Sequence, residues 1–233
     1  MALRPMSAAG TTGAGSMRTL PSDCREVAVG EIGLAAILCI PANARGIVIF
    51  AHGSGSGRLS PRNNYVAAQL RRGGFATLLL DLLSPAEEQD RRNVFDIALL
   101  ASRLRLAVDW CASEPATARL RLAYFGASTG GGAAIRAAAG DPRIAAIVSR
   151  GGRPDLAGER ALASLTAPTL LIVGSLDGIV IDLNQAAHDA MHCERQLVLV
   201  PGAGHLFEEP GTLDQVVALA LDWFTRHLPE ENA

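Results

Sequence analysis

What most constrains this chain is a rhythm. Short apolar runs end in glycine-rich turns, and each is followed by a stretch with helical spacing. "GIVIFAH" (46–52), "FATLLLDLL" (75–83), "LRLAYFG" (120–126), "RIAAIVSRGG" (143–152), "APTLLIVGSLD" (167–177) and "RQLVLVPGAGH" (195–205) are the runs. Between them lie "PRNNYVAAQLRRGG" (61–74), an amphipathic stretch over 93–113, "GGGAAIRAAAG", a helix near 182–193 and "TLDQVVALALDWFTRHL" (212–228). Continuously apolar strands alternating with helices predict an α/β domain, its mostly parallel central sheet covered by helices on both faces. Before this rhythm, "REVAVGEIGLAAILCIP" reads as two strands joined at the Gly30–Gly33 turn. Ligands bind such sheets at the carboxyl ends of the strands. Glycines crowd those ends here, after Phe50, Phe125, Val148, Val173 and Val200.

No internal repeat or second composition zone divides the 233 residues, so one domain is expected over 21–233. Residues 1–20, rich in Gly, Ala, Ser and Thr, read as a flexible tail and a poor signal peptide. No run approaches the roughly 20 apolar residues that span a bilayer. The formal charge of -2 points to neither nucleic acid nor an acidic membrane. Cys24, Cys39, Cys111 and Cys193 lack CxxC spacing, which argues against a zinc site. A Cys24–Cys39 bridge stays open, but a reduced, cytoplasmic setting fits the scatter better.

One of the glycine turns carries a hydroxyl. Gly126-Ala127-Ser128-Thr129-Gly130 matches G-x-S-x-G, with a strand before it and a helix after it. A serine on so sharp a turn adopts strained dihedrals, and side chains two positions either side would strike neighbouring backbone. Glycine at both places removes the collision. The expected order of partners is serine, acid, histidine. His205 follows the last strand and is the expected base. His188 and His192 sit four apart on a helix, a weak metal pair that reads better as a solvated face, and His227 is near the chain end. Asp177, just past a strand end, is the expected acid. Asp155 competes from the previous strand end, Asp189 also competes, and Asp182 reads as a helix cap.

An attacked carbonyl becomes an oxyanion that needs two backbone donors. Thr129, after the nucleophile, supplies one. The loop "HGSGSGR" after the 46–52 strand supplies the other, best placed at Ser54, with His52 bracing the loop.

On "AHGSGSGRLSPRN", "YFGASTGGGAA", "SRGGRPDLAG", "APTLLIVGSLD" and "PGAGHLFEEPG", the chain resembles the α/β-hydrolase superfamily, and within it the dienelactone-hydrolase-like bacterial hydrolases. The resemblance covers essentially everything after residue 24. It implies the same assignments, with Ser128 as nucleophile, Asp177 as acid, His205 as base, and Ser54 and Thr129 as oxyanion donors. It also implies a compact fold without a large cap. True dienelactone hydrolases carry cysteine at the elbow, so Ser128 moves the expected chemistry toward ordinary esters.

Only about 18 residues separate Ser149 from Pro168, room for one short helix, so the pocket should be open and suited to small esters or lactones. "LLSPAEEQD" is a candidate rim. Arg58, Arg150 and Arg153 follow strands and could hold a substrate carboxylate or phosphate, or could brace loops. The expected protein is thus a cofactor-free and metal-free serine esterase acting on small molecules, as a monomer or small homo-oligomer. Lactone or thioester hydrolysis, a small peptidase and a ligand-binding protein with negligible turnover are the alternatives.

Overall fold

A computed structural model describes residues 20–229; the expected tail lies almost wholly outside them. Eight strands form one sheet: β1 (Cys24–Val29), β2 (Leu34–Cys39), β3 (Gly46–Ala51), β4 (Ala76–Leu80), β5 (Arg121–Ala127), β6 (Ile144–Arg150), β7 (Thr169–Gly174) and β8 (Arg195–Val200). The helices are α1 (Pro61–Arg72), α2 (Arg91–Val94), α3 (Ile97–Ser113), α4 (Thr129–Ala138), α5 (Glu159–Ser164), α6 (Gly178–Ala190) and α7 (Thr212–His227). The strand order is β1-β2-β4-β3-β5-β6-β7-β8. β1 and β2 pair antiparallel, β2 meets β4 antiparallel, and β3 to β8 run parallel. This is an α/β-hydrolase fold.

Strand alternation sorts the core into two layers. Ile47, Ile49 and Ala51 of β3 face one layer, packed with Leu100, Leu104 and Val108 of α3 and with the alanines of α4. Val48 and Phe50 face the other, against Val66 and Leu70 of α1 and Val216, Trp223 and Phe224 of α7. All six β3 residues are buried, which explains an unbroken β-branched and aromatic run where a one-sided sheet would alternate. The Phe50 and Phe125 rings, centroids 5.0 Å apart, tie β3 to β5 just below the carboxyl ends.

Three expectations are corrected. The helix over 93–113 breaks at Phe95, because the Asp96 side chain accepts the Leu99 N–H at 2.9 Å and caps a new start. α6 begins at Gly178, earlier than expected, so Asp182 lies inside it and caps nothing. Cys24 and Cys39 are joined, contrary to the preference for free thiols. The β1–β2 hairpin register sets them directly opposite each other, Cα atoms 4.0 Å apart. As expected from the short span, only a 3₁₀ turn (Pro154–Ala157) and the six-residue α5 stand between β6 and β7. Among the described residues no helix is long and apolar enough to cross a membrane.

Candidate active site

Ser128 stands between β5 and α4 with φ 51 and ψ −125, a conformation that L-residues rarely hold. Backbone hydrogen bonds lock it there. Its N–H donates to the Arg150 carbonyl at 3.3 Å, and its own carbonyl accepts from Gly131 at 2.9 Å and Arg153 at 3.0 Å. The flanking glycines do what the turn requires. A Cβ on Gly126 would lie 2.6 Å from Gly131 Cα, and one on Gly130 would lie 2.6 Å from the His52 carbonyl oxygen. Without side chains at both, α4 can press its first turn against the ends of β3 and β5. That aims the amino end of a ten-residue helix at the space beside Ser128.

His205 and Asp177 arrive from the neighbouring loops. Asp177 occupies the capping position of α6, yet its side chain caps no helix N–H. His205 Nδ1–H instead donates to Asp177 Oδ2 at 2.7 Å. Because a carboxylate only accepts, this bond fixes the tautomer and leaves Nε2 with its lone pair free. The Asp177 side chain is 15% exposed and that of His205 37%, so the acid is sheltered while the base faces solvent. The His205 loop is held by close backbone approach: Leu176 N–H donates to Ala203 O at 2.9 Å, and Gly202 N–H to Ser175 Oγ at 2.8 Å. Gly151, with φ 50, gives the loop its seat. A Cβ there would be 3.1 Å from His205 O and 3.6 Å from His205 Nδ1. Since Arg150 O holds Ser128 and Gly151 seats His205, the end of β6 brings the two together. Among the described residues no hydrogen bond joins Ser128 Oγ to His205; in free enzymes such bonds are commonly long and tighten when substrate binds.

The loop after β3 closes the other side. A Cβ on Gly53 would stand 3.0 Å from Ser128 Cβ and 3.7 Å from its Oγ, so only glycine lets the loop come this near. Among the described residues, neither Ser54 nor Thr129 has its backbone N–H taken by an acceptor. His52 is 7% exposed and pinned at both nitrogens. Its Nδ1–H donates to Gly53 O at 2.9 Å, and Nε2 accepts from Leu82 N–H at 3.0 Å. It therefore splints the loop to the end of β4, as the sequence suggested.

The competing residues are engaged elsewhere. Asp155 takes Arg153 in a two-pronged pair at 2.9 and 2.7 Å. Asp189 takes His188 at 3.1 Å. Among the described residues no cluster of three or more His, Cys, Asp or Glu is placed to hold a metal ion. Arg58 is bound by Asp81 through both its side chain and its backbone N–H, a partner that the sequence reading missed. Only the β4–β3 pairing brings those residues together, and nothing in local spacing signals it. Arg150 is the exception, buried at 7% exposure with no acid on it. An open groove of about 620 Å³ is lined by the loop from His52 to Arg62 with Asp81, Leu83, Glu88, Val94 and Leu100, so the 84–90 segment does form part of its rim, through Glu88; Ser128, His205 and Arg150 are not among its lining residues.

Comparison with known proteins gives this geometry a family. A model described as PET hydrolase-like matches residues 55–233. The chain belongs to that family. It is 54% identical in sequence to a dienelactone hydrolase from Anabaena variabilis, with a TM-score of 0.84 over 88% of this chain and 96% of that one. The esterase Est1E from Butyrivibrio proteoclasticus shares the fold at a TM-score of 0.73 and 18% identity, over 90% of this chain and all of that one. Putative phosphoribosyl transferases from two strains of Mycobacterium tuberculosis are 56% identical over 97% of this chain. The chain spans about half, 51%, of the length of those curated relatives. These likenesses put the chain in the family of dienelactone hydrolases and related esterases.

Proposed function

We propose that the chain is a serine hydrolase of small carboxylic esters, with Ser128 as nucleophile, His205 as base and Asp177 as the acid that orients it. The observation carrying this reading is the strained backbone of Ser128, held beside two untaken N–H groups. A turn that merely packed glycines would have no need of a hydroxyl in that conformation.

In the proposed reaction Ser128 Oγ attacks the ester carbonyl as its proton passes to His205 Nε2. Asp177 stabilises the imidazolium without taking its proton. The oxyanion accepts from Ser54 N–H and Thr129 N–H, each such donor contributing about 3–4 kcal/mol to barrier lowering. His205 then protonates the departing alkoxide, and water, deprotonated by the same imidazole, releases the acid and restores Ser128. No metal or redox group enters the balance.

The likeness to a dienelactone hydrolase favours lactones as a second reading, in which the leaving alkoxide stays tethered to the product. Phosphoribosyl transfer is not carried over, because this chain matches only half of each relative so named and that half has a hydrolase fold.

The test is hydrolysis of p-nitrophenyl esters from acetate to octanoate by the parent and by Ser128→Ala. A burst followed by steady turnover, abolished in the variant, is expected. Turnover that survives Ser128→Ala would remove the nucleophile, and stoichiometric acylation without release would favour a binding protein.

A further inference from the structure

The turn after β6, residues 150–153, supports two members of the proposed triad. Arg150 O accepts from Ser128 N–H, Arg153 N–H donates to Ser128 O at 3.0 Å, and Gly151 seats His205. The middle of the turn is a pair of glycines. Gly151 has φ 50, and a Cβ on Gly152 would stand 1.9 Å from Ser149 Oγ, so neither position readily admits a side chain. With no side chains to wedge it, this mobile pair is held through its main-chain groups. Gly151 N–H donates to Ile172 O at 2.7 Å, which ties the turn to β7. Gly152 O accepts from Asn184 Nδ2 at 2.9 Å, and among the described residues that is the one hydrogen bond between the turn and α6.

Asp177, the third member, stands at the start of α6. Asn184 follows it by seven residues, close to two helical turns, and so lies on the same face of the helix. Its side chain is fully buried. Nδ2 also donates to Val180 O at 2.8 Å, and because both acceptors are carbonyls the orientation of the amide is fixed. Oδ1 is thereby sealed from solvent without a donor among the described residues. A helix face packed inward is ordinarily apolar, and a buried acceptor left unpaired is destabilising. What asparagine supplies in return is the donor to Gly152. His205, with 37% of its side chain exposed, has little packing to aim it and depends on two supports, the Asp177 carboxylate and the Gly151 seat. Asn184 joins the element that brings the first to the turn that forms the second.

We propose that Asn184 is a positioning residue, which registers α6 against the glycine turn and so keeps His205 aligned with both Asp177 and Ser128 through turnover. This rests on the serine hydrolase reading. Asn184 touches no reacting atom. It acts through Gly152, so its loss slows the proton transfers that His205 makes and leaves ester binding alone.

The experiment compares the parent with Asn184→Ala, Asn184→Leu and Val108→Ala, using p-nitrophenyl acetate kinetics and thermal unfolding. Alanine removes the donor and leaves a cavity, whereas leucine removes it and keeps the branched outline. Val108 is fully buried on α3, away from the triad, and serves as the control for lost stability alone. In both Asn184 variants kcat should fall about 10- to 100-fold with KM within about twofold of the parent, while Val108→Ala melts lower at unchanged kcat. Unchanged kcat in folded Asn184 variants, a change confined to KM, or an equal loss in Val108→Ala each overturns the proposal and leaves the hydrolase reading standing. A second readout needs no substrate. The far-downfield proton resonance of a histidine Nδ1–H held by a carboxylate should be present in the parent and broadened or lost in Asn184→Ala; its persistence unaltered counts against the proposal. A parent that shows neither turnover nor this resonance sinks both the proposal and the hydrolase reading beneath it.

Discussion

Replacing Gly130 by alanine tests whether the elbow is shaped by close backbone approach. The new methyl would overlap the Ala51 carbonyl oxygen and lie 2.6 Å from both the Ala51 carbonyl carbon and the His52 oxygen, where real Cβ atoms keep at least 3.0 Å. All three are backbone atoms of β3 or its loop, so no rotamer change relieves the overlap, and α4 must lift off β3. Such overpacking costs about 1–3 kcal/mol, offset by the 0.5–1 kcal/mol that alanine returns in a helix. A net loss of about 1 kcal/mol corresponds to a Tm drop of about 2–4 °C in a domain this size. The matched control is Gly178→Ala at the start of α6, where nothing lies within 4 Å and φ is not positive. That variant should be neutral or gain up to about 1 kcal/mol. Calorimetry on both proteins, with ester hydrolysis alongside, decides the matter. Lifting α4 also draws Ser128 and Thr129 away from Ser54, so activity should fall about 100-fold or more. Equal melting temperatures for the two variants would refute the packing argument.

Other outcomes follow from the same geometry. Ser128→Gly should abolish hydrolysis yet raise stability by about 1 kcal/mol in urea unfolding, because relief of about 1–3 kcal/mol of backbone strain exceeds glycine's entropic cost. Asp177→Asn removes no helix cap, because that side chain caps none, but misorients His205, and should lower kcat by roughly 10⁴-fold with an unchanged circular dichroism spectrum. Burial pushes the Cys111 thiol up to about 12 from 9.0. The unfolded chain therefore loses that proton first, and stability contributed by the protonated thiol falls as pH rises from about 9 to 12, by about 1.4 kcal/mol per unit. Denaturant titrations of Cys111→Ala should show a shallower alkaline decline; an identical slope would count against the assignment.

What the sequence made legible was whatever depends on near neighbours. Apolar runs ending in glycine marked β3 to β8, and G-x-S-x-G carried part of its own steric reason, since Gly126 faces the backbone of Gly130 and Gly131 just beyond it, whereas Gly130 faces Ala51 and His52 at the distant end of β3. The pairing of His205 with Asp177 was legible because chain order leaves few candidates after the last two strands. The misses share one cause, long-range register. The Arg58–Asp81 pair depends on β4 lying beside β3, and the Cys24–Cys39 bridge on the pairing of β1 with β2. Even Asp182 was misplaced for this reason. Asp177, the true cap position, spends its carboxylate on His205, so the usual sign of a helix start is silent there.

The distribution of strain argues for where the function lies. Among the described residues three non-glycines have positive φ: Asn43, Ser128 and Phe207. Asn43 is of a type that tolerates the left-handed region in turns. The other two are not, and they lie on either side of Gly151, itself at φ 50, with Ser128 held by Arg150 O and the Phe207 ring against both Arg150 and Gly151. Two strained residues and one unpaired buried cation thus meet at the end of a single strand. Random imperfection would scatter such costs over the sheet, and a fold selected only for stability would remove them. Their concentration beside His205 means that the same few residues which weaken the domain also hold Ser128 and seat His205, the residues proposed as nucleophile and base. Variants that relax this cluster should therefore gain stability and lose turnover together, whereas variants that relax a turn such as Asn43 should gain stability alone.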